Sequence, residues 1–264
     1  MGKELRRISQ RKKALEKIDK IFDSPEDVLV IHYSCESFYD IKDGRTPRVT
    51  SVAVRNLESG QTESFSIHKV AEQNQIVFDD IDGRFDELEK EMLQEYFNYL
   101  QLHQSKTWVH WNMRNINYGF QAIEHRFKAL DGDSPITLPE NKKIDLSRTL
   151  ISIYGVQYIS HPRLEKLINK NQVSHKDFLN GKQESDAFDN KEYVKLHQST
   201  LRKVDIFANL IERVANGSLE TNAKWYQIYG LHPKIILEII REHWVYSLFS
   251  IIALIVAILR VVSN

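Results

Sequence analysis

Apolar and polar residues follow two periods along this chain, and the change from one to the other predicts its elements. Val28–Ser34 is a β-branched run that reads as a strand. Arg48–Asn56 and Thr62–His68 read as two more. Glu58-Ser59-Gly60 between them is a turn signal, so this pair is expected to form a hairpin. Phe85, Leu88, Met92, Tyr96, Tyr99 and Leu102 fall at three- and four-residue steps, which predicts a helix over 84–102. Thr107–Trp111 is short and aromatic and reads as a fourth strand. Ile116, Phe120, Ile123, Phe127 and Leu130 predict a second helix, closed by the loop residues Asp131–Pro135. Lys143–Leu146 reads as a fifth, edge-like strand running into a helix through Ile153, and Pro162–Asn169 as a short helix. Asn171–Tyr193 is polar and lacks a period, so a long loop with room for one helical turn is expected. Leu201, Val204, Phe207, Ile211 and Val214 mark the last large helix, stopped by Asn216-Gly217-Ser218.

Three strands before the first of these helices argue for antiparallel pairing, and the later alternation with helices argues for parallel additions. The expected class is α/β, a mixed sheet with helices on both faces. Net charge is zero, so no global field draws the chain to nucleic acid, and such binding would need a local patch. The single cysteine, Cys35, excludes an intramolecular disulfide, and with no signal peptide visible a reducing cytoplasm is the expected compartment.

The two ends differ from the middle. Residues 3–20 carry eight Lys or Arg against three acidic residues, with Leu5, Ile8, Leu15 and Ile18 as a thin apolar stripe. A solvated, partly docked helix is the plainer reading, and a basic arm touching anionic lipid or nucleic acid the sharper one. At the other end, Trp244–Leu259 holds no charge. Extended through Val262, this stretch is about 28 Å long as a helix at ~1.5 Å per residue, close to the roughly 30 Å of a bilayer core. Arg260 would snorkel at one end, with Trp244 and Tyr246 at the opposite interface. Trp225, Tyr226 and Tyr229 precede it and suit either the lipid interface or packing on the domain. The expected organisation is a basic N-terminal helix (1–24), a globular domain (25–215), a juxtamembrane segment (216–243) and a transmembrane helix (244–262). That makes a single-pass, tail-anchored protein with its domain in the cytoplasm.

Along the first strand His32, Ser34 and Glu36 share one face, and Ile31, Tyr33 and Cys35 the other. Cys35 is therefore expected to be a small buried residue rather than a nucleophile. Ser34-Cys35-Glu36-Ser37 after the hydrophobic run, together with the element order, resembles the first motif of the DEDD exonucleases. Those ribonuclease-H-like enzymes remove nucleotides from 3′ ends with two divalent cations, and their first strand normally reads Asp-x-Glu-Thr. His110-Trp111-Asn112 followed by Ile116-Asn117 and a helix is similar to their second motif. Asp205 on the late helix is similar to their third, and Lys143–Leu146 looks like a strand end of the family. The resemblance covers roughly residues 27–214.

It implies Glu36 and Asp205 as the catalytic and metal-holding pair, binding Mg or Mn if catalysis survives. His32, Ser34, His110, Asn112, Asn117 and Asp145 would line the cleft. The departures are as informative. Ser34 stands where the family has a carboxylate, Asn117 where the second motif has Asp, and Thr200 and Leu201 where its general base would be. Two Mg²⁺ ions about 4 Å apart need several carboxylates, and no His or Tyr remains in place to activate water. His32, His110 or Asp40 would have to substitute.

Residues 110–118 are dense in Asn, Arg and aromatics. They suit phosphate contact and base stacking by Trp111, or equally a strand-to-helix junction capped by Asn112 or Asn115. Arg202-Lys203 suit a phosphate backbone or a solvated face. The leading expectation is a domain that binds nucleic acid or a protein partner with little or no catalysis. The alternative is an active metal-dependent nuclease with an atypical site drawing on Asp145, His32 or His110. Both rest on Glu36 and Asp205 meeting over the middle of one sheet beside Asn117.

Overall fold

β1 (Val28–Cys35) is the centre of a five-stranded sheet of order β3-β2-β1-β4-β5. The other strands are β2 (Val49–Asn56), β3 (Thr62–Ser66), β4 (Thr107–His110) and β5 (Lys143–Asp145). In this computed structural model the described residues are 3–37, 46–114, 116–133, 135–224, 248–249, 251–256 and 258–259. Asp40, Asn115, Trp225, Tyr226, Tyr229 and residues 244–247, 250, 257 and 260–262 of the expected membrane segment lie outside them. β1 pairs antiparallel with β2, and β2 with β3; β4 and β5 add in parallel on the other side of β1. The mixed α/β sheet expected from the element order is thus present.

The helices are α1 (Lys3–Asp23), α2 (Ile67–Gln73), α3 (Phe85–Leu102), α4 (Phe120–Ala129), α5 (Leu146–Tyr154), α6 (Arg163–Lys170), α7 (Gly181–Asp189) and α8 (Tyr193–Ala215). Two compact units divide the chain. One holds Ile18–Thr149 and Ser160–Glu220 and includes the whole sheet; the other gathers Met1–Lys17, Leu150–Ile159 and Thr221–Asn264. Within the second, Tyr154 stacks on Tyr158 at 6.2 Å and the Asn222 N–H donates to the Tyr158 carbonyl at 2.7 Å.

Strand alternation sorts the core of the first unit. Ile31, Tyr33, Val52, Val54 and Phe65 point to the side of α3, whose Leu88, Met92 and Tyr96 complete one buried apolar cluster. Into that layer α3 also sends Glu89, fully buried, which accepts from the Val49 N–H at 2.6 Å and from Arg126 Nη2 of α4 at 2.5 Å. The opposite face of β1 and β2 is covered by α8. Its buried Leu196, Thr200, Lys203, Val204, Phe207 and Ile211 recur at the three- and four-residue steps of a single helix face.

Four boundaries differ from the periodicity. β3 ends at Ser66, and the residues after it form α2. α4 starts at Phe120, leaving Ile116 59% exposed. Leu102, counted on the face of α3, is 79% exposed. The expected loop over 171–193 contains α7, begun by a capping box: the Gln183 N–H donates to Asn180 Oδ1, and the Asn180 N–H to Gln183 Oε1. In α1 the buried positions are Ala14, Ile18 and Ile21, while Ile8 of the expected stripe is exposed. Near the C-terminus the described residues are helical, with large apolar side chains exposed from 45% at Leu248 to 66% at Phe249. Among the described residues no helix is long and apolar enough to cross a membrane.

Candidate functional site

His32 and Ser34 face α8 from the middle of β1, with Ala53 and Ser51 opposite them on β2. Each polar group there is tied to the helices above. Thr200 Oγ1 donates to the Leu196 carbonyl at 2.9 Å, which leaves Ser51 Oγ to donate to Thr200 at 2.8 Å. Glu184 reaches down from α7. Its Oε1 lies 2.7 Å from Lys203 Nζ and accepts longer bonds from Ser199 Oγ at 3.3 Å and Ser34 Oγ at 3.4 Å. Ser199 Oγ in turn accepts the Leu179 N–H at 3.1 Å. The Lys203 side chain is 6% exposed, and its ammonium also stands 5.5 Å from the centre of the Phe178 ring.

Next to this pair, the His32 ring packs edge-on against Phe207 at 5.6 Å, and its Nδ1 lies 3.3 Å from the Tyr118 hydroxyl. That hydroxyl also donates to the Tyr33 carbonyl at 3.3 Å. His32 Nε2 is buried without a hydrogen-bond partner. Burial, and then the charge of Lys203, hold His32 well below the ordinary imidazole range, so the ring is neutral. Burial, reinforced by the Glu184 and Glu36 carboxylates, raises the Cys35 thiol far above its usual value. Cys35 packs against the core on the other face, as the strand alternation predicts, and is partly rather than fully buried.

The other residues singled out from the sequence are placed elsewhere. Glu36 lies just past the end of β1, where its Oε1 accepts the Arg48 N–H at 2.6 Å and its own N–H donates to the Arg48 carbonyl at 3.0 Å. Asp205 pairs with Arg55 at 3.2 Å, and Arg55 Nη1 also donates to the Gly60 carbonyl in the β2–β3 turn. Arg55 is opposite Val30 in the register. Six residues of strand separate Val30 from Glu36, about 20 Å at ~3.3 Å per residue. The expected meeting of Glu36 and Asp205 is therefore corrected: they occupy opposite ends of the sheet. The reason lies in α8, which turns Thr200, Lys203 and Phe207 to the strands and leaves Asp205 41% exposed at its flank.

His110 and Asp145 are paired in the β4–β5 register and share the face away from α8, so neither joins His32 and Ser34. His110 Nδ1 accepts the Met113 N–H at 3.1 Å, and burial lowers the ring to about 4 against the opposing pull of Asp145. Asp145 binds Arg114 at 2.8 Å and accepts from the Asn112 and Arg148 N–H groups at 3.3 and 3.2 Å. Asn112 takes a left-handed φ of 60°, and Asn117 lies in the same 111–119 loop. Gly119 closes that loop at φ 155°, where a Cβ would stand 2.6 Å from the Met113 carbonyl carbon, and its N–H donates to the Tyr33 hydroxyl at 3.0 Å. Trp111 is partly buried and stacks one face on Phe207 at 5.7 Å.

Neither a protein-family model, nor a curated protein, nor a solved structure matches this chain.

The donors over the middle of the sheet are one carboxylate, already paired with Lys203, the neutral His32 imidazole and neutral hydroxyls. They do not fit a pair of divalent cations, which need several free carboxylates. Among the described residues no group of three or more His, Cys, Asp or Glu side chains is placed to hold a metal ion. Thr200, at the position compared with a general base, has its hydroxyl committed at both ends. The sequence reading passes over Glu184 and Ser199 and takes Lys203 only as phosphate-facing or solvated, although Asn180-Gly-Lys-Gln183 carries a helix-start signal and Lys203 stands between apolar α8 positions. If Lys203 and Glu184 close this site, Lys203→Met alone costs about 3 kcal/mol by stranding the carboxylate, whereas Lys203→Met with Glu184→Gln returns to within about 1 kcal/mol of wild type. Denaturant unfolding of the four proteins in the cycle measures it.

Proposed function

We propose that this chain is a membrane-anchored, non-catalytic binding protein built on a mixed α/β domain that lacks the Glu36–Asp205 site of the DEDD arrangement. The observation that carries the reading is the Lys203–Glu184 ion pair over Ser34, a fixed internal cation where the resembling enzymes need free carboxylates. The strand order, three antiparallel strands and then parallel additions, supports a ribonuclease-H-like sheet, while the separation of Glu36 from Asp205 counts against a DEDD site on it. Of the two ligand classes expected from the sequence, a protein partner is favoured over nucleic acid. Arg114 is spent on Asp145, Arg55 on Asp205 and Arg202 on the Lys176 carbonyl, so these cations are consumed within the fold. The anchor reading rests on the uncharged run Trp244–Leu259 and the exposed apolar residues described within it.

The experiment takes the full chain in detergent and a 5′-labelled single-stranded DNA and RNA, with Mg²⁺ and with Mn²⁺. No shortening above a protein-free control is expected. Shortening from the 3′ end that Glu36→Gln abolishes overturns the reading in favour of an active nuclease with an atypical site. Deleting 244–264 is expected to release the protein from membranes into the alkaline-carbonate supernatant; retention in the pellet removes the anchor from the account.

A further inference from the structure

β3 is the last strand on its side of the sheet, and among the described residues no strand pairs with its outer edge. A cavity of about 340 Å³ lies there, lined by the consecutive residues Glu63 to Ser66 together with Lys69, Glu72 and Glu95. Successive side chains of a strand point to opposite faces. Four in a row line one cavity only when the cavity runs along the strand's edge.

The register says which backbone groups face it. The Asn56 N–H donates to the Gln61 carbonyl at 2.8 Å, so 56/61 is a hydrogen-bonded pair. By the antiparallel alternation Glu63 and Phe65 are bonded to β2, while Thr62 and Ser64 turn their N–H and C=O outward. The Ser64 carbonyl bears this out, since it accepts from Lys69 Nζ at 3.2 Å. Lys69 thus covers with a flexible ammonium the acceptor that a neighbouring strand would use. Around it stand three carboxylates. Burial raises the Glu95 carboxyl, and the nearby charges of Glu91 and Glu63 raise it further against Lys69. A cation entering between Glu63 and Glu95 relieves that crowding.

We propose that the outer edge of β3 accepts an extended peptide with Lys or Arg at alternate positions. It adds as a sixth strand, displaces Lys69 from Ser64 and sets its basic side chains against Glu63 and Glu95. Backbone pairing supplies affinity and the carboxylates supply selectivity, the usual division of labour in strand addition. The proposal does not depend on the reading of the central site.

The probe is a fluorescein-labelled eight-residue peptide alternating lysine and threonine, titrated by anisotropy against the full chain. Controls are a glutamate–threonine peptide and a lysine–threonine peptide N-methylated at every second residue, so that one edge cannot donate. Saturable micromolar binding is expected for the lysine peptide. N-methylation, Ser64→Pro or the pair Glu63→Lys/Glu95→Lys should each weaken it by roughly tenfold or more. Pro is tolerated at Ser64 because that N–H faces away from β2, and the N-methylated probe asks the same question without altering the protein. Three outcomes overturn the proposal: no saturable binding of the lysine peptide, equal binding of the glutamate peptide, or unchanged affinity after N-methylation.

Discussion

Glu89→Ala is expected to remove about 3–5 kcal/mol of folding free energy, the largest loss from any single substitution considered for this chain. Glu89 is 0% exposed on α3 and accepts from both Arg126 Nε and Nη2 as well as from the Val49 N–H that opens β2. Truncation strands the Arg126 guanidinium, itself 5% exposed, with only Asp86 beside it, and leaves a buried backbone donor unpaired. Burial pushes the Glu89 carboxyl up to about 7 while Arg126 pulls the other way, so the effect is best read at pH 8, where the pair is ionised. A loss of that size lowers the melting temperature by roughly 10 °C in a domain of this length. Glu89→Gln keeps an acceptor for both partners and is expected to lose less. A Glu89→Ala protein as stable as wild type would mean that α3 and α4 are not held against β2 as described.

Acidification is the second large effect. His110 and His197 are each lowered to about 4, chiefly by burial, with His68 adding to the shift at His197. The unfolded chain binds protons at these rings near pH 6.5. A folded value below the unfolded one means that stability is fully present above pH 6.5 and is lost as pH falls toward 4. A drop from 6.5 to about 4 corresponds to about 3 kcal/mol for each ring at ~1.4 kcal/mol per pH unit. His32 acts in the same direction. Glu89, raised to about 7, takes up its proton first in the folded chain and offsets one ring, so urea midpoints are expected to fall below pH 6.5 less steeply than the two rings alone would give. His197→Phe, which replaces a ring whose Nε2 is buried without a partner, should flatten that slope by about one proton. A His197→Phe protein whose midpoint falls with pH as steeply as that of wild type contradicts the burial of that ring.

The sequence carried the sheet further than it carried the site. Period-two runs and the Glu58–Gly60 turn located β1, β2 and β4, because strands packed on both faces are apolar enough to stand out. α3 was legible from one face, Phe85 to Tyr99. α7 was not, since its packed side is mostly polar and only Ala187 is buried within it. Its cue was the cap, not the period. α2 was hidden because Ile67, Val70 and Ala71 continue the apolar run of β3 across a change of period.

For the site, alternation put His32 and Ser34 correctly on one face, but the third element was misjudged by rotation. Asp205 and Lys203 are two residues apart on α8, about 200° around the helix at ~3.6 residues per turn. Lys203 suits a phosphate-facing or a solvated position equally from the sequence, since lysine is rarely buried, and neither reading places it toward the sheet. Its partner Glu184 lay in a segment read as loop. The contact Lys203–Glu184 joins two elements, and no local pattern encodes such a pairing.

The most direct test of the central claim is Mn²⁺ binding to the full chain, followed by electron paramagnetic resonance of the free ion. With Lys203 held by Glu184 over Ser34, no saturable Mn²⁺ site sensitive to Glu36→Gln or Glu184→Gln should exist, and Lys203→Met should be the variant that gains affinity. Saturable binding by the wild-type chain, lost on either carboxylate substitution, would contradict a closed site.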